Sequence, residues 1–245
     1  MRASIITIAY NSENCIGFTM ESVLDQSWDD MEYLIIDGNS SDKTVEKAES
    51  YREAFLKKGI PLRIVSEPDQ GIYDAMNKGI ALAEGEIIGI LNSGDAYEPD
   101  AVKTACQVFE KEGCDLMFAH IRMHRRDGGT YIKRARLRKF QTSRDWNHPT
   151  TFVKAEIYKQ TPFRRLGIHD DYGFYLQMVK QGRRIVTADR VLADFYLGGA
   201  SNRRSLKEAA KRIRDRYLYC YRINGFSRWY LFECIAIEAA KLLLG

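Results

Sequence analysis

Short apolar runs alternate with segments of helical periodicity along the first half of the chain. The apolar runs occupy residues 3–8, 32–37, 62–66, 86–91 and 115–119, and the helical segments occupy 13–24, 42–57, 72–83 and 100–112. Continuous apolar strands that alternate with amphipathic helices are typical of parallel sheets covered on both faces. The pattern predicts an α/β fold with a Rossmann-like, mostly parallel sheet flanked by helices.

The pattern loosens after residue 121 into shorter, arginine-rich pieces. It resumes with a predicted helix over 171–181 and predicted strands over 184–188 and 191–196. We expect one boundary near residue 202. It divides the chain into a domain over 1–202, with halves of about 1–120 and 121–202, and C-terminal helices over 203–245.

The segment after that boundary is strongly basic. Residues 203–216 contain seven Lys and Arg against Glu208 and Asp215, whereas the whole chain has a net charge of only +4. Apolar residues at helical spacing (Leu206, Ala210, Ile213 and Tyr217) predict an amphipathic helix with a cationic face. Two interpretations stay open: this face contacts an anionic membrane surface, or it is solvated while the other face packs on the domain.

Composition sets the broad class of the protein. With 245 residues and 45% hydrophobic content, the chain can enclose a sizeable core. Its five cysteines form no C-x-x-C pair, which argues against a disulfide framework and against a zinc site. The apolar run 229–244 is interrupted by charges, and no export signal precedes the first strand, so we expect a cytoplasmic location, with contact to the inner face of the membrane as an option.

Polar loops follow the predicted strands at the edge of the sheet where ligands bind in open α/β folds. Asp95 ends the turn after the fourth strand and is a candidate for holding a cation, although an ordinary helix-capping turn would look similar. Tyr10 can stack on a base, and Asp37 can accept a hydrogen bond from one. For Asp42 we favour a helix-capping role. Neither G-x-G-x-x-G after the first strand nor a P-loop sequence occurs, which disfavours dinucleotide oxidoreductases and P-loop enzymes.

Five sequence blocks in order resemble the family 2 glycosyltransferases. They begin at Thr7, Glu21, Glu32, Ser66 and Leu91, and the fourth reads S-E-P-D-Q-G-I-Y-D-A-M-N-K-G. The resemblance spans roughly the first 200 residues and implies a GT-A fold, a nucleotide-diphosphate sugar donor and Mn²⁺ or Mg²⁺. The fourth block is especially similar to bacterial enzymes of capsule, O-antigen or exopolysaccharide synthesis.

The resemblance also implies residue roles. The implied nucleotide and donor residues are Thr7, Ala9, Tyr10, Asn11, Asp37, Asp69, Asn77 and Ser93, with Arg203 and Arg204 from the loop after the last strand. Asp95 matches the last carboxylate of the family's D-x-D motif and is the implied metal ligand. The sequence departs from the family where Ser93 replaces the first carboxylate and Gly38 replaces the second Asp after strand two.

The second half of the resemblance implies the chemistry. Asp170 and Asp171 match an acidic pair that opens a helix, and Asp171 aligns best with the general base, although either aspartate can fill that role and both are also good helix-capping residues. His148 lies at the spacing of an acceptor-pocket residue, with a buried structural histidine as the alternative. His120 and His124 lack a third ligand at metal spacing and are expected to be structural.

The sequence therefore predicts an inverting glycosyltransferase that moves a sugar from a nucleotide donor, UDP-linked in the simplest case, to a lipid-linked saccharide. The weakened D-x-D motif leaves an alternative, a catalytically weak nucleotide-sugar binding or scaffolding subunit. A nucleotidyltransferase would need a Gly/Arg/Lys-rich loop after the first strand, where Tyr10–Glu13 stands instead. Nothing in the sequence beyond the basic helix indicates nucleic-acid binding.

Overall fold

One mixed sheet with helices on both faces forms the body of the protein. The structure, a computed structural model, describes residues 1–197 and 206–244. The strands are β1 (Ala3–Ala9), β2 (Met31–Asp37), β3 (Leu62–Ser66), β4 (Ile87–Ile90), β5 (Ala96–Tyr97), β6 (Leu116–His124), β7 (Thr130–Lys133), β8 (Phe152–Lys154) and β9 (Ile185–Tyr196). The helices are α1 (Ile16–Leu24), α2 (Thr44–Glu49), α3 (Arg52–Lys58), α4 (Ile72–Leu82), α5 (Ala101–Glu112), α6 (Ala155–Gln160), α7 (Asp170–Lys180), α8 (Leu206–Asp215) and α9 (Tyr230–Leu244).

The first half of the sheet is parallel, as the sequence predicts. Its strands lie in the order β3-β2-β1-β4, and the pairs β2–β3, β1–β2 and β1–β4 all run parallel. Every residue of β1 and β2 is buried, because helices cover both faces of these strands. Their carboxyl ends meet at one edge, where the predicted site residues follow the strands.

The second half of the sheet is mixed, which the prediction of a mostly parallel sheet did not include. The order continues β4-β8-β6-β9-β5, with β6–β9 parallel and the pairs β4–β8, β6–β8 and β5–β9 antiparallel. β7 forms a hairpin with β6. The predicted strands at 184–188 and 191–196 are one strand, β9, whose register shifts opposite Ala119–Ile121. The predicted helix at 42–57 is two helices, α2 and α3.

Two apolar layers enclose the sheet. One layer packs α1, α3 and α5 against one face of β1 and β2 through residues such as Ile5 and Phe55. The other layer packs α4, α6 and α7 against the opposite face and extends to Tyr221 and Cys234 of the C-terminal helices. The C-terminal helices therefore share a core with the sheet.

The basic helix does not present its arginines as the helical spacing predicts. In α8, Leu206 is 78% exposed and Ala210 is exposed, whereas Arg212 is 4% exposed. Arg216 begins the π-helix Arg216–Arg222 that directly follows α8, and it is 3% exposed. The reason is Glu238 on α9, which is buried and accepts from Arg212 Nε at 2.8 Å and lies 3.5 Å from Arg216 NH2. Part of the predicted cationic face is thus an internal ion-pair cluster. Within the described ranges, no helix is both long and apolar enough to cross a bilayer.

Candidate functional site

An open cleft of about 890 Å³ lies beyond the carboxyl ends of β1, β3 and β4. This volume is within the range of small-molecule sites in proteins. The cleft is lined by Asn14, Cys15, Phe18, Ile72, Tyr73, Met76, Asn92, Ser93, Gly94, Asp95, His148, Pro149, Ile168, His169, Asp171, Phe195 and Tyr196. It therefore brings together Asp95, Ser93, His148 and Asp171, four of the residues that the sequence singles out.

Asp171 lies at the start of α7 with its two carboxylate oxygens in different environments. Oδ1 accepts hydrogen bonds from the Tyr73 hydroxyl at 2.9 Å and from the Tyr172 backbone amide at 2.8 Å. Oδ2 lies 3.7 Å from His148 Nδ1, too far for a hydrogen bond, and accepts none from the described residues. One oxygen thus fixes the carboxylate while the other remains able to accept a proton.

His148 is a buried, neutral neighbour of this carboxylate. Burial lowers the pKa of His148, and the nearby Asp171 charge only partly opposes this effect. Its Nε2 atom is buried without a hydrogen-bond partner in the described part of the chain, and the Trp146 ring packs 5.9 Å away. A buried polar atom without a partner at a cleft wall is typical of a ligand-binding position. His148 is therefore buried and also lines the cleft, and whether it contacts an acceptor stays a prediction.

Asp95 provides a second carboxyl group in the cleft. It is 5% exposed, and burial raises its pKa to about 8. Its side chain accepts one long hydrogen bond, from the Tyr196 amide at 3.4 Å. Asn92 Oδ1, also in the cleft, is buried without a partner among the described residues. Two oxygen atoms that lack good hydrogen-bond donors suit a hard divalent cation.

The nucleotide-binding residues expected from the sequence gather at the adjacent end of β1 and β2. Tyr10 is largely exposed, and Asn11, with φ of 47°, accepts from the Ser41 amide at 2.9 Å. Gly38 leaves room for Asp69, because a Cβ at Gly38 would overlap the Asp69 carboxylate. The departure from the family at Gly38 thus has a local steric reason.

Asp37 is fully buried and organises this loop. Its carboxylate accepts from the Ser40 amide at 2.9 Å, from the Ser40 hydroxyl, and from the Ser66 hydroxyl at 2.6 Å. Ser40 in turn accepts from the Asn11 amide at 2.8 Å. Asp42 accepts from the Thr44 amide at the start of α2 and from the Glu13 amide, but the N-cap position of α2 is Lys43, so Asp42 lies one residue before the cap that the sequence predicts for it. The direct contacts of Asp37 in this structure are therefore with the loop that positions Asn11.

A family model described as Glycosyl transferase family 2 matches residues 4–170. The chain belongs to this family. The matched range contains all five sequence blocks described above and ends at the start of α7. The protein is therefore a glycosyltransferase.

Two similar proteins and two similar structures extend the comparison. The PGL/p-HBAD biosynthesis glycosyltransferase of Mycobacterium bovis is 28% identical over 219 residues, 86% of this chain and 83% of that protein. The putative teichuronic acid biosynthesis glycosyltransferase TuaG of Bacillus subtilis is 24% identical over 244 residues, 97% of this chain and 96% of that protein.

The solved structures confirm the GT-A fold. S. aureus TarS 1–349 in complex with UDP-GlcNAc has a TM-score of 0.63 and 17% identity, covering 98% of this chain and 72% of that one. The mannosyltransferase PcManGT of Pyrobaculum calidifontis, in complex with GDP-Man and Mn²⁺, has a TM-score of 0.67 and 17% identity, covering 98% and 69%. At these identities the likeness concerns the fold.

Asp170 does not share the cleft position of the adjacent Asp171 in this glycosyltransferase. It is 5% exposed and does not line the cleft. Its carboxylate accepts from the Leu166 amide at 2.6 Å, and burial raises its pKa despite this bond. Asp170 therefore holds the loop before α7 in place and does not reach the cleft.

Two further expected donor residues have structural partners instead of cleft positions. Thr7 is fully buried, and its Oγ1 accepts from the Tyr33 hydroxyl at 2.8 Å. Asn77 on α4 pairs both of its amide atoms with the backbone of Phe163, each at 2.9 Å. Their places in the family's blocks did not reveal these partners, because Tyr33 and Phe163 are distant in sequence. Arg203 and Arg204 lie outside the described residues.

Several cleft residues were not singled out from the sequence. Tyr73 lies inside the quoted fourth block and contacts Asp171 across 98 residues of sequence. Phe18 and Tyr196 form an edge-to-face pair with ring centroids 5.3 Å apart at the cleft wall. For Tyr73 a sequence signal was available, since it lies in the first turn of α4, directly after a polar loop. For Phe18 and Tyr196 no local pattern separates a cleft aromatic residue from a core one.

Proposed function

We propose that this glycosyltransferase transfers a sugar from a UDP-sugar to a lipid-linked saccharide, with inversion of the anomeric centre, in the synthesis of a cell-surface polysaccharide. The observation that carries the proposal is the asymmetry of Asp171. Oδ1 is held by Tyr73 and by the Tyr172 amide, and Oδ2 is left in the cleft. That is the geometry a general base requires.

In the proposed reaction, Asp171 Oδ2 accepts the proton of the acceptor hydroxyl while the hydroxyl oxygen forms the new bond to the anomeric carbon. The bond between that carbon and the diphosphate breaks, and the diphosphate leaves with the electron pair. The Tyr73 hydroxyl keeps the carboxylate oriented through Oδ1. His148, neutral because burial lowers its pKa, borders the acceptor without adding a positive charge.

The donor would lie along the carboxyl ends of β1, β2 and β4. Tyr10, Asn11 and Asp69 form the nucleotide end next to Ala9, while Asp37 holds their loop. Ser93 lies nearer the cleft, 3.5 Å from Cys15 Sγ, where it can donate to a phosphate or sugar oxygen. Arg203 and Arg204 stay candidates for binding the leaving diphosphate.

A divalent cation, Mn²⁺ or Mg²⁺, fits the residues present. Asp95 and Asn92 Oδ1 would hold it, and it would supply positive charge beside the diphosphate when bound. The described residues contain no group of three or more His, Cys, Asp or Glu that could hold a metal ion. The donor diphosphate and water would therefore complete its coordination.

Similar proteins support the donor class and the biosynthetic role in the proposal. TarS was solved with UDP-GlcNAc, and TuaG is described as acting in teichuronic acid biosynthesis. The mycobacterial relative is described as a PGL/p-HBAD biosynthesis enzyme. The lipid-linked acceptor and a position in the cytoplasm at the inner face of the membrane are parts of our proposal that these names do not address.

The proposal is tested by nucleoside diphosphate release from UDP-, GDP- and dTDP-sugars, with Mn²⁺ or with chelator, in the presence of lipid-linked saccharides. We expect metal-dependent release from a UDP-sugar. Asp171→Asn should lower kcat by about 10²- to 10⁴-fold, the usual range for loss of a general base. Asp25→Asn, an exposed aspartate outside the cleft, is the matched control.

Two results would contradict the proposal. An Asp171→Asn enzyme with nearly full activity would remove the assigned base. Calorimetric binding of nucleotide-sugars with no turnover by any donor and acceptor would favour the alternative of a binding or scaffolding subunit.

A further inference from the structure

The outer side of α9 carries an exposed apolar stripe. Trp229, just before the helix, and Phe232 and Ile235 within it are 72%, 62% and 44% exposed. They recur every three residues, while Tyr230 and Cys234 on the other side are buried in the core. The helix is thus apolar on two sides, and only one of them is covered by the described chain.

A second segment lies against the start of α9 and widens this stripe. The Phe140 ring stacks on Tyr230 with centroids 4.5 Å apart and planes 5° apart. Thr142 donates to Glu233 at 2.7 Å. These contacts place Phe140, about half exposed, beside the aromatic end of the helix, and Leu137, also about half exposed, lies three residues earlier in the same segment.

Basic side chains accompany the apolar ones. Arg136, Lys139, Arg144 and Arg228 are exposed and lie in the same two segments. The acidic residue between the segments, Glu233, is directed inward, where it accepts from Thr142 and from Tyr221. The surface therefore combines an apolar centre with positive charge.

We propose that this surface, formed by residues 136–144 and 228–235 and called here the docking surface, binds an anionic phospholipid bilayer. Exposed Trp and Phe rings insert at the interface between headgroups and acyl chains, and neighbouring Lys and Arg bind anionic headgroups. The charge argues against a second copy as the occupant, because a two-fold contact would bring the same basic residues together. This surface differs from the cationic helix predicted from the sequence, where Arg212 and Arg216 are internal.

The docking surface is connected to the acceptor side of the cleft. Gln141 accepts from the Tyr175 hydroxyl at 2.8 Å, and its backbone amide donates to Tyr230 at 3.0 Å. Further along the same loop, Trp146 stacks on Tyr175 and contacts His148. The docking surface and the acceptor side of the cleft are thus connected through one loop. An enzyme bound to the membrane by this surface could receive an acceptor whose lipid stays in the bilayer, a step that rests on the proposed function.

The test is co-sedimentation of the full chain with vesicles of phosphatidylglycerol and phosphatidylcholine, compared with vesicles of phosphatidylcholine alone. We expect binding to the anionic vesicles that weakens with salt. Trp229→Ser with Phe232→Ser should weaken it at least about tenfold. Lys139→Gln, Arg144→Gln and Arg228→Gln together should weaken it on the order of 100-fold at low salt.

Matched controls are Leu56→Ser, an equally exposed leucine on α3, and Arg183→Gln, an exposed arginine away from the docking surface. Both should bind vesicles like the original chain. Thermal unfolding of each variant checks the fold, and the charge variant tests the inference alone if the aromatic variant does not fold.

The inference is overturned if the chain does not sediment with anionic vesicles, or if the aromatic and charge variants both bind as before. It is also overturned if light scattering shows that these substitutions dissociate a dimer that ignores vesicles. Nucleoside diphosphate release, measured on the same preparations with detergent-dispersed lipid-linked saccharide and without vesicles, separates the two proposals. Vesicle binding without this release would count against the proposed function only, and release without vesicle binding against the docking surface only.

Discussion

Replacing Asp95 with Asn should stabilise the metal-free, nucleotide-free protein. The carboxyl group is 5% exposed, has one long hydrogen bond, and has a pKa that burial raises to about 8 from 3.8. Because its folded-state pKa lies above its unfolded-state value, the folded protein binds the proton more tightly. Stability from this group is therefore complete below about pH 4 and is lost as the pH rises through about 8.

The magnitude follows from the shift. Each pKa unit corresponds to ~1.4 kcal/mol, so at pH 7 the ionisation of the unfolded chain costs the folded state about 4 kcal/mol. Asparagine keeps the shape and an oxygen for the Tyr196 amide, but burying its own amide costs about 1–2 kcal/mol. We expect a net gain of about 2–3 kcal/mol near neutral pH and a net loss of about 1–2 kcal/mol near pH 4, where only the cost of burying the amide remains.

The assay is urea unfolding with chelator and without nucleotide, at several pH values from about 5 to 8. Asp37→Asn is the matched control, a buried aspartate at the end of the neighbouring strand whose carboxylate accepts hydrogen bonds from Ser40 and Ser66. It should lose about 1–3 kcal/mol. An Asp95→Asn protein that is no more stable than the original at pH 8, or whose gain does not grow with pH, would refute the reasoning.

Three other substitutions test the remaining structure. Tyr73→Phe removes the hydroxyl that holds Asp171 Oδ1; kcat should fall about tenfold with little change in donor KM, and an unchanged kcat in steady-state assays would speak against an orienting role. Glu238→Gln removes the carboxylate that pairs with two buried arginines and should lower the free energy of unfolding in urea by about 3–5 kcal/mol. The control Glu49→Gln, in an exposed ion pair, should lower it by at most about 1 kcal/mol, and similar losses for the two variants would contradict the burial argument. Gly89→Ala would place a Cβ 2.6 Å from the Phe152 ring and 2.7 Å from the Tyr97 hydroxyl, so a loss of about 1–3 kcal/mol is expected in thermal unfolding, and a neutral result would show that β8 can shift.

The parallel half of the sheet was readable from the sequence because each of its strands is a continuous apolar run. Hydrophobic periodicity detects such elements well. The short strands β5 and β8, of two and three residues, are below the length at which any periodicity appears. The sequence therefore indicated β6 and β9 of the mixed half but missed β5 and β8, which pair antiparallel with their neighbours.

Site residues could be found from short stretches of sequence, but their partners that are distant in sequence could not. Asp95 was singled out from its place in the turn after a buried strand, and Asp171 and His148 because their blocks resemble those of a known family; all three line the cleft. The partner of Asn77 is 86 residues away, and Glu238 is 26 residues from Arg212. A helical projection treats each helix alone, so it could not show that Glu238 draws two arginines into the core.

The short antiparallel pairing of β4 with β8, called here the seam, has a consequence for recombination between related enzymes. Only three residue pairs, Ile87–Lys154, Ile88–Val153 and Gly89–Phe152, join the parallel half to β8. Strands before residue 91 lie on one side of this seam and strands after it on the other. Recombination between relatives at the loop after β4 would exchange one half of the sheet intact, so long as the pocket for the Phe152 ring at Gly89 is kept. Under the proposed function, such an exchange would replace the acceptor side of the cleft and keep the nucleotide side.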